Sequence, residues 1–553
     1  MAKDKEISIE IPKPEILFIL LILSVFSFLE FKVMTSRGLA FGDEGYHSIL
    51  AKYMGDNKEY PVWNPILGSE DSKNGFFDNP FWHLLLGGFF SVFGFHEFII
   101  KVLPPFIGVI LVGLSTYILG KRIFNKEIGV IACIIAISVP SMVTYSLLAY
   151  KDTTFVLYFS LASMCLILGL ISEKSKYFIL GGVFSGLSFL TKTPAYVAIP
   201  LLLGSMFLFR LKEKKKTEIV LKEFLPVFLI FIIISGSFVL RNFVHYKTIC
   251  APLPLISDST CYKKSSYEEK NKYEGRTEEV GVEGSAFRMG IMNYFSFSYG
   301  YLIFVPLSFI LGLFLLFSRK SKQDILLLIS VASFLPVAYF AFPGRAEDTS
   351  RFLLPLVPLI ALISANYWEK IYVFVKNHYK HLALVIFITV LVFGYYNYID
   401  KLKTMERVKE FSPAFFEACQ WIRENTPKNS RLGVVIWAGA TAYNCQREVG
   451  GGGGDVTLSQ NLTLALSVLK MQGSTHVFIQ KFSIGWNDEK LTERYPISFV
   501  DFLEKNPEHF KKIYENGPDL SQCKLRGGCD GTILYEIDYS NTTLIPKDVL
   551  SRS

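Results

Sequence analysis

The chain has 553 residues, 51% hydrophobic and 15% aromatic, with 57 Lys and Arg against 49 Asp and Glu for a formal net charge of +8. Mean hydropathy is +0.34, and the apolar residues come in long blocks, which excludes an ordinary soluble protein and points to a polytopic membrane protein. The cations flank apolar runs and form no stacking or groove motif, so nucleic acid is excluded as a partner and the membrane surface accounts for them.

Met1 to Glu15 is short and polar, with Lys3, Lys5 and Lys13. No small-residue cleavage site follows the first apolar run, which therefore reads as an uncleaved anchor. Runs of about 20 apolar residues can cross a bilayer. They fall near 15–35, 97–119, 128–147, 153–171, 177–192, 194–210, 222–241, 299–318, 324–342, 351–368 and 381–398. That makes about eleven crossings, although 177–192 and 194–210 also read as one broken unit. Pro80 to Phe93 is about 14 residues long and reads as interfacial or re-entrant.

With that segment outside the count and the N-terminus cytoplasmic, the connections Gly120–Glu127, Ser172–Lys176, Arg210–Lys222, Ser318–Lys322 and Glu369–His381 share the cytoplasmic side, each with Lys or Arg. That is the positive-inside pattern. Outside lie a first loop (36–96), the short loop Tyr150-Lys151-Asp152, a loop at 243–298, the turn Pro343–Ser350 and everything after Asp400. The expected fold is a polytopic α-helical membrane protein, residues 1–400, with an extracytoplasmic α/β domain, residues 401–553, sited in the cell membrane.

In the C-terminal part, Ser412-Pro413 reads as an N-cap and Pro at N1, opening an amphipathic helix to Asn425. Arg431–Trp437 and His476–Gln480 read as buried strands with a helix from Leu462 to Met471 between them. A helix near Ser498–Lys505 and strands near Phe510–Tyr514 and Thr532–Ile537 complete the pattern. The Gly450–Gly454 run lacks the Lys-Ser/Thr of a phosphate loop and reads as a flexible loop. Cys133 and Cys165 fall in helices. Cys250, Cys261, Cys419, Cys445, Cys523 and Cys529 fall in outer regions, where pairs such as Cys250–Cys261 or Cys523–Cys529 would close short loops; the pairing stays open. Asn461-Leu-Thr463 and Asn541-Thr-Thr543 are glycosylation acceptor triplets on that side.

Polar groups at the outer helix ends carry the chemistry. Asp43 and Glu44 follow the first apolar run. Adjacent carboxylates beside a low-dielectric phase need a cation, a metal or a proton, and they also favour a helix N-terminus as caps. Asp152 opens a helix, Lys192 and Arg241 each end one, and Arg345 and Arg351 bracket a turn. A charge within a membrane segment costs on the order of 2.5–3.5 kcal/mol and is usually functional or paired; snorkelling is the competing account for any one of them. Together they form a mixed acid and base set at one surface, suited to a phosphate-bearing lipid and acid/base chemistry. Tyr46, His47, Trp82, His83 and His245 are further candidates.

These residues resemble those of the GT-C glycosyltransferases, most closely the branch of protein O-mannosyltransferases and bacterial aminoarabinose transferases. The resemblance rests on Gly42-Asp43-Glu44-Gly45-Tyr46, Asn79-Pro80-Phe81-Trp82-His83-Leu84, Gly94-Phe95-His96-Glu97, Val139-Pro140 to Asp152, Gly186 to Lys192, Arg241-Asn242 and Arg351-Phe352-Leu353-Leu354-Pro355. It spans roughly residues 15–400. The family's Pro-Pro-Leu motif is only partly kept, and Lys101 stands where an Arg is common. The Trp-Trp-Asp-Tyr-Gly motif of oligosaccharyltransferases is replaced by Trp437-Ala438-Gly439-Ala440, without the Asp.

The resemblance implies a polyprenyl (dolichyl) phosphate sugar donor and an acceptor hydroxyl on a protein, glycan or lipid. Asp43 would be the base of an inverting transfer, Glu44 and Asp152 its companions, and Lys192, Arg241, Arg345 and Arg351 the binders of the donor phosphate. Tyr46, His47, Trp82 and His83 would be acceptor contacts. Three acids suffice for Mg²⁺ or Mn²⁺, though no ligand spacing establishes a metal. The alternatives are a transporter or flippase of a lipid-linked sugar, whose sites usually lie at the bilayer midplane in repeated halves, and an oligosaccharyltransferase-like enzyme.

Overall fold

The computed structural model describes residues 14–37, 39, 42–62, 64–66, 76, 78–213, 216–247, 304–340, 351, 353–379, 392, 395–396, 398–406, 411–433, 438–450, 461–481, 497–519, 522, 529–540 and 544–545. Helices dominate. In chain order they are α1 (Pro14–Arg37), α2 (Gly42–Asn57), α3 (Phe81–Phe93), α4 (Glu97–Ile123), α5 (Lys126–Ser138), α6 (Pro140–Ser146), α7 (Asp152–Ser172), α8 (Ser175–Thr191), α9 (Ala195–Lys212), α10 (Thr217–Tyr246), α11 (Phe304–Arg319), α12 (Lys322–Ala332), α13 (Leu335–Phe340) and α14 (Val357–His378).

Among the described residues, five helices are individually long and apolar enough to cross a bilayer: Ile16–Ser36, Glu97–Ile123, Asp152–Ser172, Ala195–Lys212 and Thr217–Tyr246. The expected crossing at 128–147 is a bent pair, α5 and α6, meeting at 64°. The bend has a local cause. Val139 precedes Pro140 and takes an extended conformation (φ −60°, ψ 124°), as the proline ring demands of its predecessor. Pro104 and Pro105 sit inside α4, and the next six residues, Phe106–Leu111, widen into a π-helical turn, a common response to a disrupted hydrogen-bond ladder. The segments expected at 177–192 and 194–210 are two helices, α8 and α9. The run at 381–398 lies almost wholly outside the described residues. At 13 residues, α3 is about 20 Å long, too short to span.

The helix ends are fixed by ordinary capping. Asn125 accepts from the Ile128 N–H at 2.8 Å at the start of α5, and Ser321 and Asp324 form a capping box on α12, as their chemistry favours. Arg210, first of the basic run and in the last turn of α9, is buried among Glu173, Glu213 and Glu223 at 2.8–2.9 Å. It ties two cytoplasm-assigned connections together as well as contributing to the charge bias.

The C-terminal part contains α15 (Pro413–Asn425), β1 (Arg431–Gly433), α16 (Ala438–Cys445), β2 (Glu448–Val449), α17 (Leu462–Met471), β3 (His476–Gln480), α18 (Ile497–Lys505), β4 (Phe510–Asn516) and β5 (Thr532–Ile537). The sheet runs β2-β1-β3-β5-β4. β1 pairs in parallel with β2 and β3, and β5 runs antiparallel to β3 and β4. Strand alternation divides the core in two. Val477, Ile479, Ile533 and Tyr535 pack with Ala465, Leu466, Phe499 and Leu503 from α17 and α18. Phe478 and Leu534 point the other way, into Phe415, Ala418 and Ile422 of α15.

That second layer also contains Leu50 and Met54 of α2. The helix that follows the first membrane crossing is therefore part of the core beneath the C-terminal sheet. Two glycines permit the approach: a Cβ on Gly439 would lie 2.5 Å from the Tyr46 Cα, and one on Gly45 would lie 2.6 Å from the Ala440 Cα. Gly439→Ala should push α16 off α2 and lower stability by about 1–3 kcal/mol, read as a fall in melting temperature of the purified protein in detergent. An unchanged melting temperature would mean that α16 is not seated there. The disulfide Cys419–Cys445 joins α15 to α16, a pairing across two helices that the spacing of the cysteines did not single out. Cys529 is disulfide-bonded as well; Cys250, Cys261 and Cys523 lie outside the described residues.

Candidate active site

Asp43 and Glu44 occupy the first turn of α2, where carboxylates offset the helix dipole. Their side chains part company. Asp43 is half-exposed and accepts from Nη1 of Arg351 at 3.2 Å. Glu44 is fully buried, and its Oε1 accepts the Ala149 N–H at 2.9 Å, which anchors the turn before α7. Capping and site-building are both satisfied by the pair.

Asp152 opens α7 and is 1% exposed. It accepts from Arg351 Nε at 3.1 Å and Nη2 at 3.0 Å, and it pairs with Nζ of Lys192. A carboxylate can be held in such a place only with partners this close. Arg351 lies over the Tyr150 ring, its Cζ 4.6 Å from the centroid, a favourable cation–π contact. Four residues from the ends of four different segments thus alternate in charge: Asp43, Arg351, Asp152, Lys192. Lys192 is placed by its neighbours. Asn79, buried before α3, donates to the Phe189 carbonyl at 3.0 Å and to the Tyr196 hydroxyl at 3.1 Å, and it accepts from Thr193 at 3.3 Å. This pins the segment before α3 to the turn between α8 and α9.

Arg241 stands apart from this group. It donates to the Phe76 carbonyl at 3.0 Å and the Pro61 carbonyl at 2.5 Å, and it stacks over Tyr60 at 4.5 Å. Its work in this structure is to clamp the segment between α2 and α3 onto α10. Tyr246 assists, donating to the Val62 carbonyl at 2.5 Å. Arg241→Ala should free the 60–76 segment and raise its rate of proteolytic cleavage at least several-fold. Lys should restore little, because it lacks the planar fork. Equal cleavage of all three proteins would remove the clamp.

A second cluster adjoins the first. His47, one turn after Asp43 on α2, hydrogen-bonds through Nδ1 to Nε2 of His83 on α3 at 2.8 Å. Asp78 pairs with Lys151 at 2.7 Å and accepts the Asn79 N–H at 2.7 Å. Burial and the nearby Lys151 hold the His83 imidazole down at about 4 against the pull of Asp78, and burial with the facing His83 holds His47 well below the usual imidazole range. Burial raises the Asp78 carboxyl, but Lys151 and His83 outweigh it and the net shift is downward. Tyr46 is half-buried against α16, with its phenol raised by burial. Trp82 is fully buried with no hydrogen-bond partner for Nε1 among the described residues. His245 is exposed, and Arg345 lies outside the described residues. Sequence reasoning overlooked Asp78 and Lys151. Each sits next to a residue that it did single out, Asn79 and Asp152, and that adjacency was the available signal.

Residues 78–239 match the family model described as dolichyl-phosphate-mannose-protein mannosyltransferase. No curated protein matches the sequence. Among solved structures, ArnT from Cupriavidus metallidurans bound to undecaprenyl phosphate is similar with a TM-score of 0.60 at 11% identity, over 96% of this chain and 99% of that one. The oligosaccharyltransferase of Archaeoglobus fulgidus in its apo form is similar with a TM-score of 0.62 at 14% identity, over 95% of this chain and 75% of that one. The same organism's AglB with an inhibitory peptide and a dolichol-phosphate gives 0.58 at 13%, over 96% and 75%.

The chain shares the fold of these proteins over nearly its whole length, and residues 78–239 are similar to that mannosyltransferase family. The matched stretch carries Asp78, His83, Asp152 and Lys192, while Asp43 and Arg351 reach the site from either side of it.

Proposed function

We propose that the chain transfers a single sugar from a polyprenyl (dolichyl) phosphate carrier to an acceptor hydroxyl at the outer face of the membrane, with inversion. The observation that carries this reading is the Asp43–Arg351–Asp152–Lys192 array, which joins a half-exposed carboxylate to two cations at the outer ends of helices. As the acceptor oxygen attacks the anomeric carbon, the bond from that carbon to the phosphate oxygen breaks and the phosphate leaves with the electron pair. Asp43 takes the acceptor's proton. Arg351 and Lys192 meet the charge that builds on the phosphate, with Asp152 holding both in place until the donor arrives. Arg345 is a third candidate for the phosphate. Arg241 acts as a positioning residue, since its donors are committed to loop carbonyls. Glu44 supports the turn that presents Asp152, and Tyr46, His47, Trp82 and His83 line the approach of the acceptor.

The same reading places the N-terminus in the cytoplasm and residues 401–553 outside as one domain, on the strength of the Lys and Arg bias of the connecting loops. The shared core of α2 and the C-terminal sheet supports seating that domain beside the acceptor. Purified protein in lipid nanodiscs, given labelled dolichyl- or undecaprenyl-phosphate sugars and an extract of its own membranes, should label an acceptor from at least one donor, with mannose tried first. Failure with every donor would sink the transferase reading.

A further inference from the structure

We propose that His47, His83 and Asp78 form a binding site for a transition-metal ion of the zinc type, beside the array of carboxylates and cations rather than within it. One ligand atom from each residue lies within 4.8 Å of the other two. The acids first considered for a metal do not make such a group: Glu44 is engaged with the Ala149 N–H, and Asp43 and Asp152 are joined through Arg351. The donor set decides the class of ion. Two imidazoles and a carboxylate suit zinc and its neighbours, whereas magnesium and calcium take oxygen ligands.

The second observation is the state of the rings. His47 and His83 are 3% and 0% exposed. Their facing nitrogens, His47 Nδ1 and His83 Nε2, share one hydrogen bond, in which one ring donates and the other accepts. An ion between those nitrogens would take the place of the shared proton while both rings stay neutral, the form of imidazole that binds a metal. Tetrahedral zinc with bonds of about 2.0–2.1 Å separates its ligand atoms by about 3.3 Å. The facing nitrogens, now 2.8 Å apart, therefore need to open by only about half an ångström, which side-chain rotation supplies. The Asp78 side chain is 21% exposed, so the ion has a way in and a fourth position open toward it.

The surroundings set what the ion would do. Asp43, Asp78 and Asp152 face Lys151, Lys192 and Arg351 in linked ion pairs. Three formal negative charges balance three positive ones, so a divalent ion adds positive charge at the edge of the array. A phosphate-bearing molecule would offset it. The ion and the anion should therefore favour each other's binding.

The full chain in nanodiscs, stripped with a chelator and then given Zn²⁺ alone, should keep about one zinc per chain through gel filtration, measured by elemental analysis. Co²⁺ in its place should give the visible ligand-field band of a four-coordinate site. His83→Ala and His47→Ala should each weaken zinc binding by about tenfold or more, and His245→Ala, an exposed residue, should leave it unchanged. Where a histidine variant fails to fold, Asp78→Asn and the cobalt spectrum of the unaltered protein decide. Loss of the cobalt band in Asp78→Asn supports the site. A wild-type chain that retains no zinc, or a His47→Ala/His83→Ala protein that retains as much, overturns it. No sugar donor or acceptor enters the measurement, so the metal site can fail while the transferase reading stands, and the reverse.

Discussion

Replacing Asp43 with Asn should lower the rate of sugar transfer by about 10²–10⁴, the usual contribution of a positioned base, while leaving the KM for the lipid donor near its starting value. The substitution is nearly isosteric, and its amide oxygen can still accept from Arg351, which reaches Asp43 at 3.2 Å. The ion pair is weakened without rearranging the site. A transfer assay with labelled donor separates the two parameters. If kcat is untouched, Asp43 does not take the acceptor's proton and the site needs a different base. If KM rises in step with the loss of rate, the residue serves binding instead.

The largest effect on stability belongs to Asp152. Its carboxylate is the shared partner of Arg351 and Lys192, and all three side chains are largely buried, at 1%, 18% and 5% exposure. Asp152→Asn leaves two cations facing each other with the intervening charge removed. Removing one member of a buried pair typically costs about 3–5 kcal/mol, and here a like-charge repulsion adds to it. Lys192→Met should cost less, because Arg351 keeps its carboxylate. The double variant Asp152→Asn/Lys192→Met should be more stable than Asp152→Asn alone, since it removes the repulsion between Lys192 and Arg351, and Arg351 keeps Asp43 as a counter-charge. Thermal unfolding of the three variants in one detergent tests this order. If Asp152→Asn melts with the wild type, Arg351 and Lys192 have other counter-charges and the array is not a unit.

Most of the architecture was legible because its signals are local. Apolar length, Pro and Ser-Pro punctuation and strand alternation each depend on a few neighbouring residues, and α7, α9, α15, α17, β3 and β5 fall where the pattern puts them. Asp43, Asp152, Lys192 and Arg351 could be gathered because each stands at a helix end on one predicted side of the membrane. Their order of pairing could not be read, since it depends on where four helix ends meet in space. Arg241 illustrates the limit. It ends a helix on the same side and reads as a phosphate ligand, yet its fork is filled by carbonyls of a loop some 180 residues earlier. The Cys419–Cys445 bond and the Gly45–Gly439 contact escaped notice for the same reason: nothing within reach along the chain marks them.

The shared core of α2 and the C-terminal sheet bears on how the protein is made. α2 follows the first crossing and leaves the ribosome early, but residues that complete the core holding its Leu50 and Met54, among them Phe415, Phe478 and Leu534, are synthesised hundreds of residues later. A chain grows at about 5–20 residues per second, so α2 waits on the order of a minute for that core to be completed. During that interval Asp43 sits on a helix whose packing is incomplete, and contacts this distant in sequence are slow to form. Competence for chemistry should therefore appear only once β5 has joined the sheet, leaving the half-built chain inert until that core is complete.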